Sequence, residues 1–264
     1  MNEISKNNLD VINHSNHFQT DEKVTDKILI KFQSELKKMN IFLTENQVHQ
    51  FLQYYNLLNE WNKVMNLTAI TEFEEVVEKH FIDSLCLVKF DSNLSGRKIL
   101  DLGTGAGFPG IPLKITFPDA DIVLMDSLNK RIKFLNEVIQ TLNLNNIAAV
   151  HGRAEDMAHK KEYRQQFDFC VSRAVSNLSV LSEYCLPFVK VKGFFISYKS
   201  AEISYELNTA ERAIRDLGGR VERVITYSLP DSNSGRSLVC IKKDKGTSRM
   251  YPRKAGIPAK KPIQ

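Results

Sequence analysis

Residues 101–110, DLGTGAGFPG, follow a short apolar run, KILDL (98–102), and lead into a helical pattern that Pro109 is well placed to start. No other stretch constrains the fold as strongly. Glycines let a backbone turn sharply and approach a ligand with no Cβ in the way. N–H groups exposed at a strand-to-helix turn suit a carboxylate or a phosphate. Downstream come further apolar runs: IVLMD (122–126), IAAV (147–150), FDFCVS (167–172), GFFISYK (193–199), RVERVITYSL (220–229) and SLVCIK (237–242). Helical patterns separate the first five runs of the series, which predicts a parallel sheet wrapped by helices. Only PDSNSGR joins the last two, too little for a crossover helix, so they should form an antiparallel hairpin. The expected class is α/β, with a mostly parallel seven-stranded sheet ending in that hairpin.

Upstream the pattern is helical. Ile28, Ile30, Phe32 and Leu36 recur at loosely helical spacing. Thr44, with Gln47 three positions on, reads as a capping box for a helix through Phe51, Leu52, Tyr55, Leu58 and Trp61. Asn66-Leu67-Thr68 breaks it. Thr71, with Glu74 three positions on, is the expected cap of a helix through Phe73, Val76, Val77, Phe81, Leu85 and Leu87. The expected division is a disordered extension at 1–24, a helical cap at 25–95 and the α/β domain at 96–243. A basic tail covers 244–264. Residues 91–98, DSNLSGRK, read as the hinge.

Charge is uneven along the chain. The net charge is +5, yet residues 1–95 hold nine Lys against fourteen acids. Residues 242–264 hold eight Lys or Arg against Asp244 alone. Such a segment suggests a polyanionic partner, although the charge run alone fits a solvated, structureless tail better. No apolar run approaches the roughly 20 residues that span a bilayer, and no signal or transit pattern opens the chain. Cys86, Cys170, Cys185 and Cys240 form no C-x-x-C pair and sit in apolar stretches, as buried reduced thiols would. A cytoplasmic location follows as an expectation.

The glycine turn admits two registers. Gly105, Gly107 and Gly110 satisfy G-x-G-x-x-G, a dinucleotide pattern. Counted from the strand end, however, the pattern is D-x-G-x-G-x-G on Gly103, Gly105 and Gly107, and Phe108 stands where the dinucleotide fingerprint wants a glycine. Asp126 ends the second strand, where an acid can accept both ribose hydroxyls of an adenosine-bearing cofactor. It could otherwise merely cap the next helix. Arg153-Ala154-Glu155-Asp156 follows the third strand, where an adenine ring would lie. Arg173 follows the fourth, facing cofactor and substrate.

The reaction class is narrowed by what is missing. After the fourth strand, SRAVSN lacks the Asn/Asp-Pro-Pro-aromatic pattern used on exocyclic amines. Cys170 and Cys185 are poorly placed as nucleophiles for cytosine carbon. No ligand cluster points to a metal. What is left is a substrate atom already nucleophilic; guanine N7, with an in-plane lone pair, needs alignment more than a base.

LNEWNKVMNLTAI (58–70), KHFIDSL (79–85), DLGTGAGFPGIPLKI (101–115), DSLNKRIKFL (126–135), RAE (153–155), SRAVSNLSVLSEYCLP (172–187) and YPRKAGIPAKKPI (251–263) together resemble the glucose-inhibited division protein B family. These are bacterial guanine-N7 methyltransferases of small-subunit (16S) ribosomal RNA. The resemblance runs from about residue 25 to the end. It implies a Rossmann-like class I fold dependent on S-adenosyl-L-methionine, an RNA target in the 530 loop, and naked 16S RNA or the small subunit as partner. It carries cofactor contacts onto Gly103, Phe108, Ala154, Glu155 and Arg173, with Arg173 as the catalytic candidate. Gly105, Gly107 and Asp126 join them from the reading above. Competing readings are a methyltransferase for a small molecule or protein, and a non-catalytic RNA-binding ribosome-assembly factor. A nicotinamide-dependent oxidoreductase is disfavoured by Phe108 and the terminal hairpin.

Overall fold

A computed structural model describes residues 22–173 and 176–263. The expected extension at 1–24 falls almost entirely outside these residues. Seven strands form one sheet in the order β3-β2-β1-β4-β5-β7-β6. They are β1 (Lys98–Leu102), β2 (Asp121–Asp126), β3 (Ile147–His151), β4 (Phe167–Arg173), β5 (Val189–Ser200), β6 (Gly219–Ser228) and β7 (Gly235–Lys243). The first five pair in parallel. β7 runs antiparallel to both β5 and β6, as the short PDSNSGR connection requires.

Alternation along each strand divides the core in two. Ile99 of β1 with Ile122 and Leu124 of β2 face one layer; Leu100 and Leu102 with Met125 face the other. The first layer contains α1 (Glu22–Lys38), α2 (Glu45–Met65), α5 (Gly110–Thr116) and α6 (Asn129–Thr141). It also holds a continuous helical segment: α3 (Phe73–Val76), a π-helical stretch Val77–Ile82, α4 (Asp83–Leu85) and a 3-10 turn Cys86–Lys89. The second layer contains α7 (Ala154–Met157), α8 (Leu178–Cys185) and α9 (Ser204–Asp216). Phe32, Phe51, Tyr54 and Leu58 of the N-terminal helices belong to the same core cluster as Ile99 and Leu124, so these helices share the sheet's core.

Thr44 and Gln47 make the reciprocal capping box read from the sequence. Thr71 does not cap: Glu72 holds the N-cap position of α3, with no side-chain bond. The helix begins one residue later than the Thr71 pattern requires, at the buried Phe73. Residues 91–98, read as a hinge, form a tied turn. Arg97 pairs with Asp91 at 3.0 Å, the Asn93 and Ser95 amides bond the side chains two residues before them, and Leu94 is fully buried.

The residues of the basic tail divide between packing and exposure, and Lys243, at the end of β7, packs beneath them. Lys243 is fully buried and its ammonium donates to Leu186 O and Thr247 Oγ1. Arg253 grips the carboxylate of Glu183, whose side chain is 1% exposed. Pro252 is buried, and a last short helix, α10 (Ile257–Lys260), follows. Lys245, Arg249, Lys254, Lys260 and Lys261 remain exposed. All four cysteines are buried and free. Among the described residues no helix is long and apolar enough to cross a membrane, and no cluster of His, Cys, Asp or Glu could hold a metal.

Candidate functional site

The ends of β1, β2 and β4 open on a cavity of about 910 Å³. In the order 3-2-1-4 the chain reverses direction of growth between β1 and β4, the position where open α/β sheets form a crevice. Gly103, Gly105, Phe108, Asp126, Ala154, Glu155 and Arg173 all line it.

The turn after β1 is stitched across to β2, with the Gly103 and Thr104 amides both donating to Met125 O. Gly103 and Gly105 have φ of +71° and +63°, conformations that side chains disfavour. A Cβ on Gly105 would find nothing nearer than Gly103 O at 4.0 Å, so the space above it is open. Gly107, grouped with them in the sequence reading, is placed differently. It does not line the cavity, and a Cβ there would sit 2.6 Å from Ile111 Cγ1 and 3.0 Å from the Tyr54 hydroxyl. Its bare backbone serves packing.

Asp101 anchors the turn from below. Its Oδ2 accepts from Thr104 Oγ1 at 2.6 Å and from the Gly110 amide at 2.8 Å. Its Oδ1 is buried without a partner. Burial pushes its pKa up to about 6, against the pull of those two bonds. Asp126 Oδ2 accepts from the Gly105 amide at 3.0 Å and from Arg131 at 3.1 Å, and its Oδ1 from the Leu128 amide at 2.9 Å. Of roughly four acceptor positions on a carboxylate, three are therefore in use.

At the other end stands a polar cluster that sequence reasoning did not assemble. Arg173 donates to Asp83 Oδ2 at 2.9 Å and to Lys79 O at 3.2 Å, and its other terminal nitrogen lies 3.2 Å from His80 Nδ1. Its guanidinium lies over the Phe108 ring, 5.1 Å from the centroid. His80 stacks on the same ring, its centroid 4.4 Å from that of Phe108. Burial, then the Arg173 charge, hold the His80 pKa down near 3, so the ring is neutral. A guanidinium can only donate, so His80 Nδ1 accepts and Nε2 carries the proton toward Thr68 Oγ1, 2.9 Å away. Tyr227 donates to Asp83 Oδ1 at 2.8 Å. The π-helical turn that carries His80 is the sort of local irregularity often found at functional sites. Its only trace in the sequence was KHFIDSL, quoted for resemblance and given no role, although His80 and Asp83 share one helix face at i, i+3.

At the third wall, Glu155 is 8% exposed and accepts from the Gly256 amide at 3.0 Å. Tyr184 lies beside it, its phenol pushed up to about 12 by burial and then by the Glu155 charge. A pocket with two left-handed glycines, open space where a Cβ would stand, and carboxylates at both ends fits an adenosine-bearing molecule.

A family model, GidB, described as rRNA small subunit methyltransferase G, matches residues 47–234. The chain is 55% identical over 228 residues to the "Ribosomal RNA small subunit methyltransferase G" of Lachnoclostridium phytofermentans, covering 86% of this chain and 94% of that one. It is 56% identical over 236 residues to the protein of the same name from Desulforamulus reducens, covering 89% and 98%. Among solved structures it is similar in fold to M. jannaschii TYW2 in complex with AdoMet, with a TM-score of 0.50 at 15% identity over 66% of this chain and 79% of that one. With most of its length matched by the model and by relatives at such identity, the chain belongs to the rRNA small subunit methyltransferase G family.

Proposed function

We propose that this chain transfers the methyl group of S-adenosyl-L-methionine to N7 of a guanine in the 530 loop of 16S ribosomal RNA. The observation that carries this is the meeting, in one cavity, of the open glycine turn and Asp126 with a cluster in which each candidate base is already engaged. The lone pair of His80 Nδ1 faces Arg173, and Asp83 is held by Arg173 and Tyr227. Neither is free to take a proton from a substrate. Guanine N7 has none to give, and the requirement is alignment of nucleophile, carbon and leaving sulfur. The relatives' name supplies the ribosomal RNA.

S-adenosyl-L-methionine, when bound, supplies a methyl group on a positively charged sulfur. The chain's part is to hold and orient. The turn at Gly103 and Gly105 gives close backbone approach, Asp126 offers its remaining acceptor position to the ribose, and Ala154 with Glu155 meets the adenine. If both ribose hydroxyls bind Asp126, Arg131, whose side chain is 34% exposed, must release it. Arg173 and Phe108 form the floor between cofactor and target base. The exposed Lys245, Arg249, Lys254, Lys260 and Lys261 suit RNA phosphates. Residues 25–95 act with 96–243 as one unit, and the setting is the cytoplasm.

The test is transfer of labelled methyl groups to 16S RNA, and in parallel to small subunits, from a strain lacking this gene. Label recovered as 7-methylguanine in the 530 loop is expected. Cofactor binding with no label in RNA would favour an assembly factor, and label on protein or small molecules would favour another methyltransferase.

A further inference from the structure

The C-terminal residues are laced to the adenine-side wall of the cavity by bonds that span the fold. Arg253 makes a two-pronged contact with Glu183 of α8, Nε to Oε1 at 3.0 Å and Nη2 to Oε2 at 2.6 Å, and its own amide donates to Oε1 at 2.7 Å. It also donates to Lys261 O at 2.8 Å, which closes the tail on itself. One guanidinium, that of Arg164, donates to Ala158 O at the end of α7 and to Thr247 O, Ser248 O and Tyr251 O in the tail. His159 meets Pro252 O at 2.9 Å, and Ser179 of α8 donates to Ile263 O. The result is that the Gly256 amide is delivered to Glu155 Oε1 at 3.0 Å, at the rim of the cavity.

Glu155 needs that help. It sits in a helix of four residues whose N-cap, Arg153, makes no side-chain bond. A single turn does not hold its own shape, because nucleation costs more than one hydrogen bond returns. Its carboxylate is almost fully buried, where an unpaired charge is costly. The tail supplies a backbone donor beside the Tyr184 phenol, and the buried Glu183 makes release of Arg253 costly.

We propose that residues 251–263 are a positioning strap for the cofactor: by fixing Glu155 they set how tightly the adenine ring is held. This rests on reading the cavity as the S-adenosyl-L-methionine site. Arg253 and Gly256 touch no substrate and act through Glu155. Held by the Gly256 amide and by the neighbouring Tyr184 phenol, the Glu155 carboxylate is fixed in the place from which it would meet the adenine amine.

The experiment is calorimetric titration of S-adenosylhomocysteine and of S-inosylhomocysteine, in which a carbonyl replaces the adenine amine. It compares the full chain, Arg253→Ala, and a chain ending at Met250. The last cut keeps Thr247, the partner of buried Lys243. The full chain should prefer the adenosine compound. Both variants should lose about tenfold in affinity for it, the size of one hydrogen bond to a charged group, and much less for the inosine compound, so that the preference collapses. Unchanged affinity for S-adenosylhomocysteine in either folded variant overturns the proposal. So does a preference that persists while both affinities fall together, since a merely loosened domain would do that. A full chain with no preference also overturns it. If the shortened chain fails to fold, Arg253→Ala decides. A full chain that binds neither compound refutes the reading of the cavity, which is a separate result.

Discussion

On one face of the sheet Phe32, Phe51, Tyr54, Phe81 and Phe108 pack ring against ring, with centroids 4.9–6.3 Å apart. On the other, Arg164, Lys243 and Arg253 reach inward to carbonyls and to a buried carboxylate. Each face supplies one wall of the cavity. The aromatic layer carries His80 and Asp83 to Arg173; the layer held by cations carries Glu155 and Tyr184. The first kind of contact is indifferent to pH and forgiving of geometry. The second is directional, and each buried charge must be matched or neutralised. The layer behind the Arg173 wall is therefore the stiffer, and the wall that carries Glu155 answers more to protonation and to the state of the tail.

Phe81→Ala should do the greatest damage. The side chain is fully buried and touches four other rings. Removing it should cost about 3–5 kcal/mol in a urea titration, as large-to-small core changes do, with the same loss at pH 6 and pH 8. A loss under 1 kcal/mol would mean that this face can collapse around the gap and is not the stiff one.

Lys243→Met tests the opposite face. Burial, and secondarily the charge of Arg164, lowers the Lys243 pKa from 10.5 to about 7. The unfolded chain therefore holds more protons than the folded one between pH 7 and 10.5. Stability must rise with pH across that window, and the contribution is absent below about pH 7. Methionine removes the proton linkage. Between pH 7 and 8.5 the stability of the parent should gain roughly 1–2 kcal/mol on the variant. The subtraction cancels the thiols and phenols that both chains share. A difference that stays constant with pH would show that this amine pays no desolvation cost, and the contrast between the faces would weaken.

These two faces were unequally visible in the sequence. Alternation along β1 and β2 is local, so IVLMD and KILDL announced a strand and its two sides directly. The glycine turn was equally local, although its third glycine, Gly107, could not be told from a ligand-facing one without knowing that Ile111 and Tyr54 converge on it. The Arg173 cluster was not legible as a unit. Arg173 and Asp83 are 90 positions apart, Tyr227 and Asp83 144, and no period links them. Arg253 and Glu183 are 70 apart, and a count of tail charges cannot tell a cation facing water from one facing a buried carboxylate. Long-range polar pairs are set by topology, and topology was known only as far as the order of β-α-β units.

The smallest expected effect is on helix caps, and it separates a sequence pattern from the bond that the pattern stands for. Thr44 and Thr71 are both threonines with Gln or Glu three positions on, in front of an apolar helical run. In the structure Thr44 Oγ1 accepts from the Gln47 amide at 3.3 Å and Gln47 Oε1 accepts from the Thr44 amide at 2.8 Å. Gln47 Nε2 also donates to Ile115 O and Thr116 O at the end of α5, so this cap ties α2 to the helix that follows the glycine turn. Thr71 is exposed and contributes no side-chain cap. Thr44→Ala should then cost about 1 kcal/mol, the usual loss for an N-cap, while Thr71→Ala should stay within about 0.5 kcal/mol, as surface changes do. Because the Thr44 box is joined to α5, its loss should also slightly weaken S-adenosylhomocysteine binding, which Thr71→Ala should leave alone. Equal losses in the two variants would mean that the aromatic face is held by its rings alone and that its caps are incidental.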